Sequence, residues 1–97
     1  MSTYIILINW TQKGIENVKE SPGRLDVAKK AFQAAGAELK EFYLVMGRYD
    51  MVVVAEAPDD ETVAKLALTI GSAGAIRTET LRAFTEDEYR KIIAALP

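Results

Sequence analysis

Cysteine and histidine are both absent from these 97 residues. Without them the chain can form no disulfide, and it lacks the usual ligands of zinc fingers, iron–sulfur clusters and a proximal haem site. The same absence removes Ser-His and Cys-His nucleophilic pairs. An excess of positive charge is missing too: 12 basic residues stand against 14 acidic ones, a net charge of -2. Such a chain has little with which to neutralise phosphates, so nucleic acid is not an expected partner. No hydrophobic run approaches the roughly 18 residues of a membrane helix. The N-terminal Met1-Ser2-Thr3-Tyr4 carries neither the basic segment nor the cleavage pattern of a signal peptide. No membrane contact and a cytoplasmic location are therefore expected. Neither a G-x-x-x-x-G-K-[ST] nor a G-x-G-x-x-G pattern occurs, so no nucleotide cofactor is expected, and no metal.

What is present is a regular alternation of elements. Residues 4–10 are β-branched and aromatic and too few for a buried helix, so they predict a strand. Residues 11–20 are polar and read as a loop or a single helical turn. Ser21-Pro22 suits a helix start, with Ser as the cap and Pro in the first helical position. Leu25, Ala28, Phe32 and Ala35 then recur at helical spacing, and Gly36 closes the helix. Strands are predicted over 37–46 and 49–57, joined at Gly47-Arg48 by a two-residue turn that needs positive φ at the glycine. Pro58-Asp59-Asp60 opens a second helix with Val63, Leu66, Ala67 and Ile70 on one face, and Gly71 and Gly74 end it. A fourth strand follows over 75–84. Thr85 and Glu88 form a capping box for a last helix whose apolar stripe is Tyr89, Ile92, Ile93 and Leu96.

This order, βαββαβ with a C-terminal helix, predicts an α+β ferredoxin-like domain over residues 1–97. Both helices of such a sheet lie on one face, and a solvated second face would show polar residues in alternation. It does not: Ile5 and Leu7 oppose Tyr4, Ile6 and Ile8, and Met51-Val52-Val53-Val54-Ala55 is apolar without a break. A domain of this size buries only about 60–65% of its unfolded surface and gains from association when it has no disulfide or metal. Either the C-terminal helix covers the second face, or a second copy does, the sheets then pairing as a dimeric α/β barrel. RNA-recognition motifs share the order, but the third strand here lacks their basic, doubly aromatic platform.

The stretch Met46-Gly47-Arg48-Tyr49-Asp50, the following strand and Ala57-Pro58-Asp59-Asp60 resemble the GYD family, named for its Gly-Tyr-Asp core. Gly71-Ser72-Ala73-Gly74 leading into Arg77 through Phe84 is similar to that family's second block, and Trp10-Thr11, Gly14, Ser21-Pro22 and Arg24 fit its N-terminal part. The resemblance spans nearly the whole chain. It implies a small dimeric α/β-barrel protein and no particular activity.

Six residues are candidates for a ligand site. Arg48 and Asp50, two apart, share a side of the third strand, either as a charged gate for an anionic or amide-bearing ligand or as a turn-stabilising or interface pair. Arg77 and Glu79 share one face of the fourth strand, either as a polar patch in a cavity or as edge-strand protection. Asn9 ends the first strand beside Trp10, a pair that some cofactor-independent oxygenases of this fold use in an apolar pocket, a likeness of fold alone. Tyr49 completes the set. Two functions follow as expectations. One is a homo-oligomer that binds a small apolar or anionic metabolite between subunits. The other is a cofactor-independent enzyme acting on a small apolar substrate in the sheet-to-sheet space.

Overall fold

The structure is a computed structural model covering residues 1–97. The strands are β1 (Ser2–Trp10), β2 (Glu38–Leu44), β3 (Met51–Ala57) and β4 (Ile76–Ala83). The helices are α1 (Gln12–Glu16), α2 (Ser21–Ala34), α3 (Asp60–Gly71) and α4 (Glu86–Ala94), with a 3-10 turn at Val18–Glu20. One antiparallel sheet has the order β2-β3-β1-β4. The two strands that are apolar on both faces, β1 and β3, take the centre. The edges go to β2, with Glu38, Lys40 and Glu41, and to β4, with Arg77, Glu79 and Arg82, where charge discourages pairing with another chain.

One face of the sheet carries Tyr4, Ile6, Ile8, Met51, Val53, Ala55 and Ala57, all buried under Phe32 of α2 and Val63 and Leu66 of α3. Asp59 caps α3, accepting from the Thr62 amide at 2.8 Å, and the Tyr4 hydroxyl donates to Asp60 beside it. Burial and then that carboxylate raise the Tyr4 pKa above its ordinary value of 10.0. A folded-state pKa raised in this way contributes stability that is complete below pH 10 and lost as pH rises through the folded value. Urea midpoints followed from about pH 9 to about pH 11 should therefore fall, and Tyr4→Phe should make that fall shallower.

Two local expectations are corrected. Ser21 is inside α2 with helical φ and ψ rather than capping it; Glu20 occupies the cap position and makes no side-chain capping bond. The β2–β3 connection is a six-residue loop, 45–50, rather than a two-residue turn at Gly47-Arg48. Leu44 pairs with Met51, and the Val45 amide donates to the Asp50 carbonyl at 2.9 Å. Gly47 keeps the positive φ, at 114°. Asp50, the last residue of the loop, is also held to β1, its amide donating to the Ile8 carbonyl at 2.9 Å.

The capping box of α4 forms as expected, with both bonds present. The helix itself packs substantially against no other element, and Tyr89, Ile92, Ile93 and Leu96 are each between 45% and 61% exposed. The radius of gyration, 14.6 Å, exceeds the roughly 13 Å of a compact chain this long, because α4 projects from the body. It therefore does not cover the second face of the sheet.

Candidate functional site

That second face presents Ile5 and Leu7 of β1, Val52 and Val54 of β3, Tyr43 of β2 and Leu81 of β4. No helix lies over it. The first four are half-buried only by one another and their neighbours, and Tyr43 and Leu81 are exposed.

At the β2–β3 loop end of this face the apolar surface gives way to a polar rim. Strand register sets Asn9 opposite Arg77 and Leu7 opposite Glu79, so the three polar side chains share the open face by the two-residue period of a strand. Tyr49, reaching across from the loop, donates its hydroxyl to Glu79 Oε2 at 2.8 Å. The hydrogen bond to Glu79 raises the Tyr49 pKa, with desolvation and the carboxylate charge adding to it and Arg48 opposing. Tyr49 is thus a donor at neutral pH. The ion pairs of the chain involve neither Arg48 nor Arg77, which leaves two cationic groups at the rim for an anion. No three Asp or Glu side chains are placed there or elsewhere to hold a metal ion.

Asp50 stands apart from this group. It and Arg48 precede β3 and lie in the loop, and Asp50 makes no ion pair with Arg48 or Arg77. Its Oδ2 accepts instead from the backbone amide of Trp10 at 3.0 Å. Together with the bond from its own amide to Ile8, this continues the β1–β3 pairing one step past the ladder. Asp50→Ala should cost about 1.5–3 kcal/mol, as a hydrogen bond to a charged acceptor does, whereas Asp50→Asn keeps an acceptor and should cost about 1 kcal/mol or less. Urea unfolding of both variants measures the difference.

Two features lay outside what residue patterns could disclose. Gly14 approaches the Ala75 carbonyl so closely that no side chain fits between them. The principal cavity lies not on the open face but on the helix-covered side, against the small side chains Ala28 and Ala31 of α2. A run of alanines on an inward helix face was the one available signal.

A curated relative from Thermus thermophilus, named "Glutamine synthetase and cystathionine beta-lyase binding protein", is 37% identical over 84 residues, covering 86% of this chain and 88% of its own. A crystal structure of a protein from Thermus thermophilus superposes with a TM-score of 0.56 at 28% identity, over 88% of this chain and 95% of that one. A feast or famine regulatory protein from M. tuberculosis, complexed with L-methionine, gives a TM-score of 0.63 at 17% identity. It covers 90% of this chain and 54% of its own, a likeness of fold alone. The ferredoxin-like α+β fold is shared across these structures. The GYD domain model matches residues 4–93, which take in the sheet, the loop with its Gly47-Arg48-Tyr49-Asp50 core and most of α4, and the chain belongs to the GYD family.

Proposed function

We propose that this protein is a homodimeric binding protein that associates with other enzymes and holds a small anionic metabolite at its subunit interface. The observation that carries the reading is the uncovered sheet face. Ile5, Leu7, Val52 and Val54 form a continuous aliphatic surface at the centre of the sheet, and the chain's own spare helix is directed elsewhere. Two copies related by a two-fold axis would cover this surface with itself, an isologous contact. A stable pairing of this kind should bury upward of about 1,200 Å² in total.

In that arrangement the polar rim of Asn9, Arg48, Tyr49, Arg77 and Glu79 borders the joint between subunits. Its unpaired arginines suit a carboxylate or phosphate, while the one O–H of Tyr49 is already donated to Glu79. A phenol held protonated by Glu79 gives no support to a catalytic base. Association with other enzymes draws its support from the name of the Thermus relative.

The test uses purified protein, glutamine synthetase and cystathionine beta-lyase from the same organism in a label-free binding assay. The expected result is saturable association with at least one of the two at micromolar protein, a Kd in that range corresponding to about 8 kcal/mol of binding free energy. Absence of binding to both removes the enzyme-association part of the proposal. Light scattering that returns the mass of a single chain at the same concentration removes the dimer.

A further inference from the structure

On the other side of the sheet α2 and α3 do not close over β1. They flank an open cleft of about 580 Å³ lined by 22 residues, 16 of them hydrophobic. Interiors ordinarily leave few voids larger than a water molecule, whereas clefts of about 300–1,000 Å³ are typical of small-molecule sites. The cause is local. Ala28 and Ala31 of α2 and Ala67 of α3 face the gap, and a methyl group cannot span the distance that leucine or isoleucine would fill. Ile8 of β1 and Ile70 of α3 complete an apolar lining. This lining offers water few polar partners and removes apolar surface from solvent when filled, so the space favours an apolar occupant.

The mouth of the cavity carries one ion pair, Arg24 with Glu20, the only charged side chains in its lining. Arg24 lines it and is only one-third exposed, its side chain at 32%. Its guanidinium makes long contacts, 3.4 Å to the Gly14 carbonyl and 3.3 Å to that of Asn17. These orient it and leave donors unused among its five. Its partner Glu20, 3.6 Å away, is 73% exposed, and a surface pair of that kind is weak. A ligand carboxylate arriving at the mouth can take the place of Glu20.

We propose that this cavity binds a medium-chain aliphatic carboxylate, the chain lying between α2 and α3 and the carboxylate held by Arg24. The site uses none of the residues of the open face and does not rest on the function proposed above. A dimer paired through the open face leaves it accessible.

The chain's single tryptophan provides the readout. Trp10 packs against the core and pairs in register with Ile76, which lines the cavity. The full-length protein is titrated with sodium decanoate, with decanol and with sodium acetate, following tryptophan emission. Decanoate is expected to saturate with a Kd below about 1 mM, and acetate, which lacks the chain, to show no saturation in that range. Arg24→Gln should weaken decanoate about tenfold or more, the loss of one hydrogen-bonded charge pair, and leave decanol unchanged. Ala31→Phe should abolish binding of both while circular dichroism shows the native fold. Should that variant fail to fold, Ala67→Leu fills the opposite wall with a smaller change and is expected to weaken both ligands. No saturation by decanoate overturns the proposal, as does undiminished binding in the folded filling variants. An equal loss of decanol and decanoate in Arg24→Gln overturns the carboxylate assignment. A filling variant that changes the oligomeric mass would assign the cavity to a second copy of the chain and overturn the small-molecule site.

Discussion

Gly14→Ala is expected to lower stability by about 3 kcal/mol or more, the upper range for forcing atoms into a packed site. A methyl group built at this position would lie 1.9 Å from the Ala75 carbonyl oxygen, 2.9 Å from its carbon and 3.1 Å from Trp10 Cδ1. The first two contacts are with backbone, which cannot rotate away as a side-chain end would. α1 would have to move off the segment before β4. Several bonds that join them would be strained together. The Thr11 amide donates to the Ala75 carbonyl at 3.0 Å, the Thr11 hydroxyl donates to the Gly74 carbonyl, and the Lys13 ammonium donates to the Ala73 carbonyl at 3.0 Å. For a chain this size each kcal/mol moves the melting temperature by about 4–8 °C, so a fall of more than about 10 °C is the measurable outcome. Gly23→Ala is the matched control. It lies within α2, does not require positive φ, and an added methyl group meets nothing within 4 Å. Alanine there should raise stability by about 0.5–1 kcal/mol through helix propensity. A Gly14→Ala protein as stable as the parent would show that α1 is not held against the 73–75 segment.

Val54→Lys is expected to convert the proposed dimer to monomers without unfolding the chain. Val54 sits near the middle of the open face, paired with Ile5 on one side and Glu41 on the other. In a single chain the introduced ammonium has water above it and the Glu41 carboxylate beside it, so the local cost is that of β propensity, about 1 kcal/mol or less. In a two-fold dimer each copy would lose the water above that charge to the other's aliphatic surface, and desolvating it costs about 3 kcal/mol or more even with Glu41 beside it. That is a loss of more than about hundredfold in association. Leu68→Lys serves as the comparison, because Leu68 is 75% exposed on the opposite side of the molecule. Light scattering across a concentration series should show the first variant monomeric and the second unaltered. The reverse pattern would place the subunit interface on the helices and overturn pairing through the sheet.

The residue pattern by itself determined those features whose cause is local. The period-two and period-3.6 spacing of apolar residues specified the order of strands and helices, because each period reports only which face of its own element is apolar. Asp59 before α3 and Thr85 with Glu88 before α4 act within three residues of themselves, so their caps were legible, as was the positive φ at Gly36 and Gly47. The double-sided apolar character of β1 and β3 likewise showed that the second face needs covering, and their central place in the sheet accords with it. Tertiary structure decided whatever depends on two segments meeting. Asp50 reads as a gate residue until its carboxylate is found on the amide of Trp10, forty positions away. Gly14 reads as a loop glycine until Ala75 comes to lie against it. The stripe on α4 looks the same whether the helix folds back or projects, because amphipathicity states that a face needs covering and not by what. Ala28 and Ala31 satisfy the helical pattern as well as leucine would, and only the distance to α3 turns their small size into a cavity. Patterns along a chain encode direction and polarity, whereas volume and contact are properties of pairs of elements and take their values only when the chain is folded.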